Sequence, residues 1–277
     1  MKAKNISITI LFGGIFYFIL TFGLVILSAR MILISVPVYV PSEPISLWYF
    51  LLMFLLVTFA ILVLLRKVKS RVPFEAFLTF AIFAGVWFLA DIWFVPGLAI
   101  GVALLVMLLK FIYRRIWWQN LVMVLGIAGI VVSIGLSIPW LTALIIMVLL
   151  SFYDIIAVYY TRHMVEMFKG LVKRGIIFAL ILPTRLRYLV EPVREVRPGE
   201  NFMLLGTGDL ALPAIMVATL VRVSLAQALF SAGGAVVGFA LLQLIFFSQK
   251  PKKPMPALPP IAAMTIIGFL VAYLFGL

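Results

Sequence analysis

The 277-residue chain carries nine acidic residues, and most of them flank its apolar stretches. Three lie inside such stretches: Asp91, Asp154 and Asp209. A carboxyl group among hydrocarbon is costly unless something compensates it, so each is a candidate for chemistry. Asp91 sits between Trp87 and Trp93, shortly before Pro96, which reads as a carboxylate at an interface. Asp154 and Asp209 differ. Asp154 stands eight residues before Arg162, and Asp209 nine residues after Glu200. At helical rise both then lie roughly 12–14 Å along their stretches from the same side. Two antiparallel neighbours would bring them to one level, where two carboxyls can share a proton.

Such a pair can hydrolyse a peptide bond. Like charges a few ångströms apart do not both ionise readily, so one carboxyl stays charged while the other keeps its proton. The charged one takes a proton from water, which attacks the peptide carbonyl; the protonated one donates to the carbonyl oxygen. A tetrahedral diol results, with no metal, cofactor or covalent intermediate. The same pair could instead bind a proton or cation in a transporter, and depth alone leaves both open. The chain has no cysteine and one histidine, which excludes thiol catalysis and leaves no thiolate- or histidine-based zinc site.

Flanking residues add detail. Asp209 ends the run Gly206-Thr207-Gly208-Asp209, with Pro213 four residues on. Two glycines one residue apart remove side chains where a substrate backbone could approach, and permit an irregular helix start. Tyr153, just ahead of Asp154, brings a hydroxyl that could donate near the pair. Pro256-Ala257-Leu258-Pro259-Pro260 opens the last apolar stretch with three prolines in five residues. Proline lacks a backbone donor, so this start is expected to be partly extended.

These residues need elements to hold them. Hydrophobic residues make up 66% of the chain and charged ones 11%, too little polar surface to cover a water-soluble fold. The expectation is an all-α polytopic membrane protein with nine transmembrane helices. Its spans are Ile6–Ser28, Ile45–Leu65, Phe74–Trp93, Pro96–Phe111, Leu121–Ile138, Trp140–Tyr160, Phe202–Val221, Ala226–Phe247 and Ala257–Leu277. The first, over 20 residues long without a small-x-small cleavage site, reads as a retained span. On this count, 20 of the 22 lysines and arginines fall on one side, and only Arg30 and Arg222 on the other. Basic residues mark the cytoplasm, so the N-terminus is expected inside and the C-terminus outside. The +13 net charge is thereby read as orientation signal, and no nucleic-acid partner is expected. Three parts follow: a six-span block over 1–160, a cytoplasmic segment over 161–201, and a three-span block over 202–277. Within the middle part, Gly175–Pro183 is apolar but too short to cross a bilayer. It reads either as a segment lying on the lipid or as an edge strand able to pair with an extended peptide. Gly97/Gly101 and Gly234/Gly238 have the spacing of close helix packing.

Tyr153-Asp154 in span six, Gly206-Thr207-Gly208-Asp209 in span seven and Pro256-Ala257-Leu258 before span nine resemble the YD, GxGD and PAL motifs of the presenilin and signal peptide peptidase family. Order, spacing and span count agree, so the resemblance covers essentially the whole chain. It is strongest to the small archaeal members, which implies a multi-pass protein of a prokaryotic cell membrane. The resemblance implies an intramembrane aspartyl protease that cuts transmembrane segments of other proteins, with Asp154 and Asp209 as the catalytic pair. It also implies that Pro256, Ala257 and Leu258 shape the site, and it leaves association into homo-oligomers open. Thr207 stands where a bulky apolar residue is common, and Pro259-Pro260 departs from the eukaryotic pattern. An N-terminus inside matches presenilin rather than signal peptide peptidase. A proton- or cation-coupled transporter is the alternative, and a non-catalytic chaperone for membrane helices is a third reading.

Overall fold

The computed structural model describes residues 2–35, 48–49, 52–53, 56–57, 70, 72–95, 97–160, 170, 172, 175–197, 201–249 and 254–277. Among these, eight α-helices make up most of the fold. They are α1 (Lys2–Ser35), α2 (Val72–Trp93), α3 (Leu98–Ile112), α4 (Ile116–Ser137), α5 (Trp140–Ile155), α6 (Thr207–Leu220), α7 (Leu225–Ser248) and α8 (Leu258–Leu274). Apolar residues surround them on every side, which suits helices bathed in lipid or packed on one another. Five candidate spans, Thr9–Ser35, Val72–Trp93, Ile116–Ser137, Trp140–Tyr160 and Leu225–Ser248, are long and apolar enough to cross a membrane. The other three, α3, α6 and α8, are shorter apolar helices. All eight fall on predicted spans; the remaining one, Ile45–Leu65, lies largely outside the described residues.

The seventh span departs from expectation. Phe202–Gly206 is a strand, β2, and α6 begins only at Thr207. The partner of β2 is β1 (Ala179–Pro183), antiparallel, in a register running from Ala179↔Gly206 to Pro183↔Phe202. The protein is therefore mostly helical rather than wholly so. Every residue of β1 is buried. Leu180 and Leu182 enter the main helical core, while Ala179 and Ile181 join a satellite cluster with Ile116, Ile177, Val196 and Phe202. Burial on both faces explains why Gly175–Pro183 shows no alternation of polarity. It does not lie on a lipid surface; its second half is a strand inside the protein.

Helix α4 forms the centre of the fold. Backbone meets backbone where it crosses α2: a side chain on Gly85 would collide with the Gly126 carbonyl, and one on Gly129 with the Gly85 carbonyl. Gly234 and Gly238 likewise let α7 press on Met264 and Ile261 of α8, as their spacing predicts. Gly97 and Gly101 do not pack closely on any of the described residues. An added Cβ meets nothing within 4 Å at either, and Gly97 instead takes φ 95° ahead of α3. Beyond Ile155, α5 continues as a single π-helical stretch, Ile156–Tyr160.

Candidate active site

Asp154 is the penultimate residue of α5 and only 6% exposed. Its Oδ2 accepts a hydrogen bond from the backbone N–H of Leu258 at 3.2 Å, and the backbone of Ala257 also bonds to the carboxyl. Leu258 is the first residue of α8, with Ala257 as its N-cap. A helix start normally leaves several N–H groups without intrahelical partners. Here Pro259 and Pro260 carry none, so the first turn offers its donors just where Asp154 sits. The PAL run thus acts through its backbone, and the double proline strips competing donors from the turn. Pro256 and Leu258 are buried, Ala257 half-buried.

Asp209 is the third residue of α6, and Gly206 is that helix's N-cap. The Asp209 carboxyl accepts the backbone N–H of Gly206. This is the reach-back half of a capping box, made by an aspartate. Gly206 must be small: a Cβ there would lie 2.9 Å from Asp209 Oδ2 and 3.6 Å from its Cγ. Helices α5, α6 and α8 pack against one another, and Asp209 lies close enough to Asp154 for the two charges to act on each other. The sequence-predicted pair is thereby brought together, though not by the arithmetic that predicted it. Five residues on the way to Asp209 are strand, rising about 3.3 Å each rather than about 1.5 Å. A strand-to-helix junction sets its height.

The other candidates divide. Thr207, first in α6, is half-buried; Gly208 is exposed, and an added Cβ there meets nothing within 4 Å. Among the described residues, Gly208 therefore borders open space one residue from Asp209. Tyr153 does not join the pair: its side chain is exposed and makes no hydrogen bond among the described residues. Asp91 is also exposed, in keeping with an interfacial carboxylate.

Sequence reasoning missed the sheet's anchor. Asn120, in the second turn of α4, is wholly buried. Its Nδ2 donates to the Ile181 carbonyl at 2.7 Å, and its Oδ1 accepts the Ile181 N–H at 2.9 Å. The signal for it was an amide directly ahead of the predicted span that begins at Leu121. Since Ile181 turns its peptide groups to Asn120, the two-residue period of a strand turns those of Leu180 and Leu182 toward β2. The N–H of Thr184, bonded to the Asn201 carbonyl at 2.9 Å, keeps that phase. On β2, Met203 and Leu205 then face β1, while Phe202, Leu204 and Gly206 direct their peptide groups outward. That outer edge ends at Asp209.

A model of the family described as signal-peptide peptidase, presenilin aspartyl protease matches residues 14–276. A solved structure of a presenilin family intramembrane aspartate protease in a C222 crystal is similar at TM-score 0.63 and 27% identity, covering 94% of this chain and 96% of that one. Its P2 counterpart is similar at TM-score 0.63 and 26% identity, covering 93% and 96%. No functionally curated protein matches.

Proposed function

The chain belongs to the signal-peptide peptidase, presenilin aspartyl protease family and is an integral membrane protease acting on membrane-embedded substrates, and from that premise we propose that Asp154 and Asp209 are its catalytic pair. The observation that carries the assignment is their convergence: two carboxyls that feel each other's charge, each held by a backbone N–H from a different helix start. One carboxyl, ionised, activates water; the other, protonated, donates to the carbonyl of the scissile bond, and the roles reverse as the diol collapses. The pair titrates as a unit, so neither role belongs permanently to one residue.

Substrate spans enter from the lipid and must unwind, because helical hydrogen bonding shields their carbonyls. An unwound segment needs new partners for its peptide groups. The outward edge of β2, with the peptide groups of Phe202 and Leu204, offers them by strand addition, ending at Gly206, whose N–H is given to Asp209. This revises the expectation for Gly175–Pro183: its strand is held by β2 on one side and by Asn120 on the other, so the peptide adds to β2. Thr207 and Gly208 then border the scissile bond.

The proposed arrangement has nine spans, with the N-terminus cytoplasmic, the C-terminus outside and cleavage in the cytoplasmic half of the bilayer. Its three parts are 1–160, 161–201 and 202–277, the sheet joining the last two. Substrates would be spans with their N-terminus outside, and the location the cell membrane of a prokaryote, an archaeon by resemblance.

A fluorogenic transmembrane peptide tests the pair. Asp154→Asn, Asp209→Asn and the double variant should all fall to one background rate, because losses within a unit do not add. Each should still fold and bind the peptide, since asparagine keeps the shape and removes a buried charge. Substantial cleavage by Asp209→Asn would end the assignment.

A further inference from the structure

We propose that Asn120 is a positioning residue for peptide cleavage: its side-chain amide stands in for a third strand, clamps β1 at Ile181, and through the sheet fixes where β2 delivers Asp209. The proposal rests on Asp154 and Asp209 being the catalytic pair.

A carboxamide presents one acceptor and two donors, much as a neighbouring strand presents a carbonyl and an N–H. Asn120 uses them in that way, meeting both peptide groups of one residue at 2.7 and 2.9 Å. A third hydrogen bond joins it to the hydroxyl of Tyr17 on α1. Helix, helix and strand therefore meet at one side chain with no exposure to solvent. An amide at that depth is costly unless saturated, and saturation specifies both its type and its length.

The clamp sits where the sheet needs it. A two-stranded ribbon is marginal on its own and takes its geometry from what packs against it. Ile181 faces Leu204 in the register, and Leu204 is two residues from Gly206, whose N–H holds Asp209. The same end of α4 also holds the chain that follows β1. Ile116, one turn before Asn120, donates its N–H to the Glu191 carbonyl at 3.1 Å, and the Val193 N–H bonds to the Arg114 carbonyl at 3.0 Å. Arg115 Nη1 reaches the Val190 carbonyl at 3.3 Å. One helix end thus carries both anchors of the segment that precedes the site. A leucine at 120 would keep the branching and the number of heavy atoms, in a somewhat larger volume, and leave the Ile181 N–H and carbonyl unpaired; glutamine, one methylene longer, could not meet both without moving the strand.

The test uses the full chain and compares wild type with Asn120→Leu, Asn120→Asp, Asn120→Gln and Asp209→Asn. Four readouts are kcat, KM, the masses of the products, and binding of a transition-state aspartyl inhibitor. Loss of the clamp should lower kcat by about 10- to 100-fold, as a small misplacement of a reacting group does, with KM changed far less. New products displaced along the peptide should appear, still blocked by the inhibitor. Asn120→Asp, which keeps the acceptor for the Ile181 N–H, and Asn120→Gln should each recover part of the rate and of the normal products. Were Asn120→Leu to fail to fold, these two variants carry the test on the same readouts. Unchanged kcat and product masses in the folded fraction would overturn the proposal, because a side chain that only holds the fold together gives that result. Asp209→Asn separates the premise: cleavage by that variant refutes the pair, whereas its silence beside a normal Asn120→Leu refutes the clamp alone.

Discussion

Gly206→Ala is a minimal change that should slow the protease without disturbing its fold. The backbone at Gly206 has φ −57° and ψ 138°, values that alanine adopts freely, so no strain enters through the main chain. The new methyl would lie 2.9 Å from Asp209 Oδ2, whereas ordinary contact begins near 3.4 Å. The carboxyl must retreat by the difference, about 0.5 Å, or turn away from the Gly206 N–H that holds it. A misplacement of about 1 Å at a reacting centre can cost about 100-fold, so half of it predicts roughly a tenfold loss in kcat. The stability cost is that of placing alanine at an N-cap, about 0.5–1 kcal/mol. Gly208→Ala is the control, since its Cβ meets nothing within 4 Å. It should gain a few tenths of a kcal/mol in helix propensity, and any loss of activity should fall on KM, because the added methyl meets the substrate rather than Asp209. Rates for a fluorogenic transmembrane peptide in proteoliposomes, with thermal unfolding followed by circular dichroism, separate these outcomes. A Gly206→Ala variant with wild-type kcat would show that the Asp209 carboxyl need not stay where Gly206 admits it.

Leu204→Pro removes one outward-facing donor from β2 while leaving the ladder to β1 intact, a substitution that edge strands tolerate. It should raise KM for transmembrane peptides several-fold; unchanged kinetics in a folded variant would mean that substrate does not add to this edge. The rate of the intact enzyme should rise and then fall with pH, because acid protonates the base and alkali strips the acid. A flat profile through both limbs would contradict a two-carboxyl mechanism. Finally, a reporter fused after Leu277 should be active only outside the cytoplasm, and cytoplasmic activity would reverse the orientation drawn from the lysines and arginines.

The helices were legible because lipid leaves a chain one simple option, and an uninterrupted apolar run of span length declares it. Asp154 and Asp209 were legible for a related reason: carboxyls are rare and costly in such runs. What escaped was the strand at Phe202–Gly206. Its residues Phe202–Leu205 are as apolar as a helix in lipid, and so short an apolar run does not declare whether it is strand or helix. Only its pairing with Ala179–Pro183 distinguishes it, and pairing is a long-range property. Asn120 escaped because it stands just before the predicted span at Leu121, where an amide has several ordinary explanations until its partners are seen. The Gly97/Gly101 spacing does not by itself decide packing, because small residues permit close approach without compelling it, and among the described residues nothing lies within 4 Å of an added Cβ at either.

The π-helical stretch after Asp154 has a consequence for how this chain tolerates change in length. Hydrogen bonds from residue i to i+5 hold one more residue per turn than an α-helix does. Deleting any one of Ile156–Tyr160 would let the stretch close into ordinary helix while Asp154 kept its place. The helix would leave the site in the same direction as before, because a π turn closes over one extra residue at the place where an α turn would close. Related chains should therefore gain or lose a single residue here without a compensating change elsewhere, and a lone deletion within Ile156–Tyr160 should be far less harmful than one within α5.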